Sequence, residues 1–167
     1  ALVFGVTAEL DMFGDWNRIP ELRAQRESLA ATAQADLWTA GATVTAEGGH
    51  GTQFGIAVPT LAADGDAAAF VGARLAEGVD YIKLIVEDFS THSDTRRLPT
   101  ITPAQVADAI AAAQAGGRLA LVHAATQADA LHAVVSGADG LVHVFHDAPA
   151  SQAFVAAAKD AGSFVVP

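Results

Sequence analysis

The stretch that most restricts the fold is Arg118–Asp147, RLALVHAATQADALHAVVSGADGLVHVFHD. Leu119–Val122 is an apolar run of strand length that leads into His123. Leu141 and Val142 lead in the same way into His143, with Val144, Phe145 and His146 behind it. Gln127–Ser136, between the two runs, has the length of a short crossover helix. A strand–helix–strand unit is parallel, because only a crossover of this length can carry the chain back to the start of the sheet. With the usual right-handed crossover, both strands end on one edge. That edge is where α/β folds keep their chemistry, so His123 and His143 are expected side by side on it.

The rest of the chain repeats the pattern. Val6–Met12 reads as a first strand with Asp11 near its exit, and Phe13–Pro20 as a loop. Glu21–Ala40 reads as a long helix ended by Gly41, and Ala42–Ala46 as a second, β-branched strand. Four glycines within Glu47–Gly55 mark a loop of unusual backbone geometry. Asp64–Gly78 is helical, and Asp80–Val86 (DYIKLIV) is a nearly all-apolar strand of the kind buried on both faces. Glu87–Pro99 is polar loop. Thr102-Pro103 opens a helix that runs to about Ala115. Pro149–Ala161 is a further helix, and Ser163–Pro167 begins a last strand. Six strands alternating with five helices predict an α/β fold with parallel strands. It is either a partial (β/α)8 TIM barrel of about six of the eight βα units or an open three-layer α/β sheet. Residues 1–167 are expected to form a single α/β domain. The start, Ala-Leu-Val-Phe-Gly, resembles the tail of a helix with a glycine cap, so a piece of a larger barrel is expected.

Composition excludes several classes. A net charge of -10 disfavours nucleic acid and anionic membrane surfaces, both of which need clustered Lys and Arg. The hydrophobic fraction is 51% and the mean hydropathy +0.32, yet no run of 18 apolar residues occurs, so no membrane span is expected. With no cysteine, any metal must be held by His, carboxylate or modified Lys. No signal-peptide pattern opens the chain, and a cytoplasmic location is the default expectation. Neither a Gly-x-Gly-x-x-Gly turn nor a Walker A sequence is present.

Lys83 is the third residue with chemical promise. It lies mid-strand among Tyr81, Ile82, Leu84 and Ile85, where an unpaired ammonium is costly. Three roles fit: a Schiff-base nucleophile, a carbamate formed with carbon dioxide that bridges metals, or a structural cation paired with Asp11 or Glu87. For the histidines the argument is strand parity. Leu119, Leu121 and His123 share one face; Leu141, His143 and Phe145 share another, and both sets are expected to face a barrel lumen. His50 and Gln53 in the glycine-rich loop, and His146 past the last histidine strand, are candidate substrate contacts. His92 and His132 are assigned to solvent.

Taken in order on successive strands, Lys83 in DYIKLIV, His123 in LALVHA and His143 in DGLVHVFHD resemble the amidohydrolase superfamily. Within it the chain is most similar to the imidazolonepropionase-like and Xaa-Pro dipeptidase-like branch. GVTAELDMFGDW and TAEGGHGTQFG resemble the segments around that branch's second and third barrel strands, and FVVP its seventh. The resemblance covers essentially the whole chain, as barrel strands two to seven. It implies a metal-dependent hydrolase of C–N bonds in an amide, peptide or cyclic amide. One or two divalent ions, usually zinc, are implied. Lys83 as a carboxylated bridging ligand, with His123 and His143 as ligands, would be the metal-binding and catalytic residues. The substrate would be a small or dipeptide-like molecule, and a homo-oligomer is compatible.

The family's His-x-His pair on strand one and its Asp on strand eight have no counterpart here, and no His-x-His occurs in the chain. Residues 1–167 alone are therefore expected to bind metal weakly or not at all and to be inactive. A Schiff-base lyase using Lys83 and a non-catalytic scaffold or interaction module are the rival readings.

Overall fold

Short apolar strands followed by alanine-rich helices can bury both faces only by packing the helices against one side of a shared sheet. The computed structural model, which describes residues 1–30 and 33–167, shows this arrangement. In chain order the elements are β1 (Ala8–Asp11), α1 (Ile19–Arg26), β2 (Asp36–Thr39), α2 (Ala67–Glu77), β3 (Ile82–Val86), α3 (Pro103–Ala115), β4 (Ala120–Ala124), α4 (Gln127–Val135), β5 (Gly140–Val142), α5 (Gln152–Ala161) and β6 (Phe164–Val166). All strand pairs are parallel: β1 with β2, and β3, β4, β5 and β6 in sequence order.

The two sheets are joined by the chain that follows β2. Gly41 takes φ 58, a left-handed turn, and residues 44–46 then run on as extended chain. Val44 donates to the Lys83 carbonyl at 2.8 Å and accepts from Ile85 at 3.0 Å. Asp80 donates to the Thr39 carbonyl at 3.0 Å. The wall therefore runs continuously from β1 to β6 in chain order, as in part of a TIM barrel.

Two expectations are corrected here. The predicted helix Glu21–Ala40 ends at Arg26, and Asp36–Thr39 is strand β2; residues 31 and 32 lie outside the described residues. Leu37, Trp38 and Thr39 prefer a pleated surface, and pairing with β1 overrides the helical bias of the residues before them. The predicted strand Ala42–Ala46 forms only isolated bridges, from Val44 to Leu84 and from Ala46 to Leu61.

The helix ends follow the sequence closely. Asp66, Thr126 and Ser151 accept hydrogen bonds from backbone amides in the first turns of α2, α4 and α5. Thr102 and Gln105 form a reciprocal capping box at α3. On the helix-facing side of the sheet, Ile82, Leu84, Ala120, Val122 and Leu141 pack with Val71 of α2, Val106 and Ile110 of α3 and Val134 of α4. Each large aliphatic side chain buried there contributes about 1.5–3 kcal/mol. The opposite side of the wall carries a smaller cluster of Ala40, Tyr81, Leu121 and Val142, flanked by Met12 and Trp38. No helix among the described residues is long and apolar enough to cross a membrane.

Candidate metal centre

Side chains along β3 alternate between the two sides, so Tyr81, Lys83, Ile85 and Glu87 all face away from the helices. Register then brings His123 of β4 opposite Ile85. Glu87, one residue past the end of β3, is the hub. Its side chain is only 1% exposed. One carboxylate oxygen, Oε2, accepts from Nε2 of His123 at 2.8 Å and makes a short contact with Nδ1 of His50. The other, Oε1, is buried and accepts no hydrogen bond, although Nε2 of His92 lies 2.9 Å from it.

His50 reaches Glu87 because its loop is tightly folded. The Thr45 hydroxyl donates to the His50 carbonyl at 2.7 Å, and Gly51 turns with φ 104. Gly49 has to be glycine: a Cβ there would lie 2.7 Å from the Pro99 carbonyl oxygen and 2.9 Å from that of Ala46. The rings of His50 and His123 meet edge to face at 5.4 Å between centroids, and those of His123 and His143 at 5.3 Å.

His143 arrives by a route other than the one expected. Leu141 pairs with Val122 and packs toward the helices, and Phe145 packs edge to face on Phe154 of α5. Period-two alternation would send His143 with them. Instead β5 ends at Val142, and His143 adopts φ 76. That left-handed residue reverses the side-chain direction and sets the imidazole beside His123. The parity argument for the Leu141, His143 and Phe145 set is thus corrected: the neighbourhood of the two histidines is as expected, but a backbone turn creates it.

Lys83 is 4% exposed and has no carboxylate within 4.0 Å among the described residues. The pairing with Asp11 or Glu87 is therefore absent. Asp11 accepts from the Thr39 hydroxyl at 2.7 Å, and Glu87 is engaged by histidines. Burial brings the Lys83 ammonium down to about 8. Burial also lowers His123, to about 4, against the opposing pull of Glu87, and lowers His143, with the Lys83 charge adding to the effect. For Glu87 burial works upward, but the hydrogen bonds from His123 and His50 outweigh it and hold the carboxyl below its ordinary value.

Of the other candidates, Gln53 is turned inward on its own loop, its Oε1 accepting from the Gly51 amide at 2.7 Å. His146 stacks near His92 at 5.1 Å between centroids. His92 is exposed, as expected, and also sits against Glu87; the partly exposed His132 donates through Nε2 to the Pro103 carbonyl at 3.0 Å. Sequence reasoning named Glu87 only as a possible partner of Lys83 and missed its place among the histidines. The signal was available in strand parity, two steps of two residues beyond Lys83.

The donor chemistry suits a divalent ion. Donor atoms of His50, Glu87 and His123 lie within 4.8 Å of one another, and the buried Oε1 of Glu87 accepts no hydrogen bond.

No family model matches this chain, and no curated protein matches it. Solved structures do. A Xaa-Pro dipeptidase with methionine bound in its active site superposes with a TM-score of 0.71 at 23% identity, over 96% of this chain and 42% of that one. An A. niger ochratoxinase gives 0.73 at 17% identity, over 95% and 41%. A prolidase complexed with N-methylphosphonate-L-proline gives 0.74 at 18% identity, over 99% and 43%. The fold is that of the amidohydrolases. The resemblance carried by Lys83, His123 and His143 is borne out at the level of fold, with parallel strands alternating with helices in a partial TIM barrel. The chain spans about two fifths of the length of these amidohydrolase-fold structures.

Proposed function

We propose that residues 1–167 are the middle of a metal-dependent hydrolase barrel that cleaves C–N bonds of amides, peptides or cyclic amides. The observation that carries this reading is the convergence of Lys83, His123, His143, His50 and Glu87 on one edge of a wall with the amidohydrolase fold. Neutral imidazoles are good ligands for zinc-like ions, and burial keeps His123 and His143 uncharged at neutral pH. A divalent ion held by them would lower the pKa of a bound water and polarise the scissile carbonyl. The anionic protein ligand is either a carbamate on Lys83 or a carboxylate already encoded in the chain. Lys83 suits carboxylation chemically, since burial favours its uncharged amine.

The neighbour complexed with a proline derivative supports a small, dipeptide-like substrate. Residues 1–167 alone are proposed to lack turnover, because they supply only part of such a barrel. The test uses the complete protein, dialysed against a chelator and assayed on dipeptides and N-acyl amino acids. Activity should vanish and return with zinc. Full activity in the chelated, metal-free enzyme would defeat the reading. Borohydride reduction with substrate present should leave Lys83 unlabelled; a stable adduct there would favour a Schiff-base lyase instead.

A further inference from the structure

We infer that a cleft on the strand-end edge, walled by Phe13, Trp16 and Ile56, receives a bulky apolar or aromatic side chain of the substrate. The inference rests on the hydrolase reading above and names the substrate class for that edge.

The cleft lies between the loop after β1 and the chain that continues from His50. Phe13, Gly14 and Trp16 line one side, Ile56 and Ala57 the other, around a cavity of about 400 Å³. Small-molecule sites measure about 300–1,000 Å³, so a ring-sized group fits. Its chemistry is apolar. No Lys, Arg or His lines it among the described residues. Asp15, its one acid, is engaged locally, accepting from the Asn17 amide at 3.0 Å and from the Asn17 side chain at 3.1 Å. A charged group entering here would find no partner and would lose its water. Apolar surface stands open instead: Ile56 is 56% exposed and the neighbouring Phe54 58%. Apolar surface gathered around a concavity marks a ligand site more often than single exposed side chains do.

Two contacts tie the cleft to the histidine cluster. Phe13 lines it and also meets the ring of Phe54 at 6.0 Å between centroids. Phe54 stands four residues after His50 on one loop, and Phe13 two residues after Asp11, where β1 ends. The Phe13 wall is held in place, because its amide donates to the Asp11 carboxylate at 3.3 Å. Gly14 then passes so close to β1 and β2 that a Cβ would run into that carboxylate and lie 2.9 Å from the Thr39 hydroxyl. Trp16 is partly buried against the hydrophobic core, which fixes the floor. A wall set before binding spends little ordering entropy on its ligand. The rival explanation is that another segment of the complete protein fills the cleft.

The experiment uses the complete protein and two readouts. The first is the tryptophan emission that disappears in Trp16→Phe, followed during titration with hydrocinnamide or propionamide. The second is kcat/KM for dipeptides with phenylalanine on the acyl side, on the amine side or on neither, glycine filling the other positions. Circular dichroism checks the folding of Ile56→Asp. Hydrocinnamide should shift the Trp16 emission and propionamide should not. One of the phenylalanine dipeptides should be preferred over the glycine one on the order of 100-fold, and Ile56→Asp should cut that preference about tenfold. Equal kcat/KM for all three dipeptides would overturn the site, as would a preference that leaves Trp16 silent or survives Ile56→Asp. Trp16 emission shielded from acrylamide in the ligand-free protein would overturn it in favour of an internal segment. None of these results touches the metal-dependent hydrolase. Loss of that reading shows differently, as turnover indifferent to chelator while hydrocinnamide still shifts Trp16. If Ile56→Asp does not fold, the dipeptide series and the Trp16 titration still decide.

Discussion

His143 holds a backbone conformation that non-glycine residues avoid, at a cost of about 1 kcal/mol or more. Glycine relieves that strain, whereas alanine keeps it. His143→Gly should therefore be about 1 kcal/mol more stable than His143→Ala in urea denaturation of the metal-free protein, although both lose the imidazole. Equal stabilities would mean that φ 76 is not strained. The histidines also set a pH dependence. Below its ordinary value of 6.5, His123 takes up a proton in the unfolded chain but resists doing so when folded until about pH 4. The unfolded state then binds more protons, so stability falls as pH drops through that window. Glu87, lowered in the folded state, acts in the same direction further down. Its contribution is full above the unfolded carboxyl value and is lost as pH falls through the folded one. Urea midpoints of metal-free protein should decline from pH 7 to 4, and His123→Gln should flatten the upper part of the decline. At this scale Lys83, His123 and His143 were legible because unusual residue types stood out against apolar strands. Glu87 was obscured because it begins a polar loop, where carboxylates are common, and His92 because only loop geometry brings it back to the strand end.

Between elements, the joint that holds the first sheet to the second is an ion pair. Both terminal guanidinium nitrogens of Arg26, at the end of α1, donate to Asp80, at 2.9 and 3.0 Å. Asp80 precedes β3 and also accepts from the Thr39 amide of β2 at 2.9 Å. Arg26 further donates to the Leu37 carbonyl at 3.0 Å and lies over the Trp38 ring. Both charged side chains are mostly buried, at 13% and 14% exposure. Removing one partner leaves the other buried and unpaired, so Asp80→Ala should cost about 3 kcal/mol in chemical denaturation. A change under about 0.5 kcal/mol would show that solvent repairs the joint. The elements from α2 onward were legible because each has its own punctuation: Asp66 and Gly78, Thr102 and Pro103, Ser151 and Gly162. β2 was not, because its strand preference rests on three residues, Leu37, Trp38 and Thr39, behind a long run of helix formers. Its pairing with β1 is a non-local contact that no window along the chain contains.

For the molecule as a whole, the alternation of apolar runs and alanine-rich stretches sufficed to read a parallel α/β wall. The turn at Gly41 and the division into two hydrogen-bonded sheets depend on tertiary contacts and were not readable. The wall has apolar edges. Among the described residues β6 pairs only with β5, and Phe164, Val165 and Val166 remain 43%, 42% and 45% exposed. Such an edge invites pairing with another chain. Residues 1–167 produced alone should therefore associate as concentration rises, measured by light scattering after size exclusion, and Val165→Lys should reduce the association. A monomer independent of concentration would refute this. A last consequence lies in Tyr81, at the entrance to β3. Its hydroxyl donates to the Asp11 carbonyl at 2.7 Å and lies 3.2 Å from that of Trp38, tying β1 and β2 to the rest of the wall. The β1–β2 pair is a two-stranded sheet of its own, so it is expected to open as a separate cooperative unit while β3 to β6 stay closed. Its amides should then exchange with deuterium well before those of β3 and β4, and loss of the Tyr81 hydroxyl should speed exchange in the first half alone.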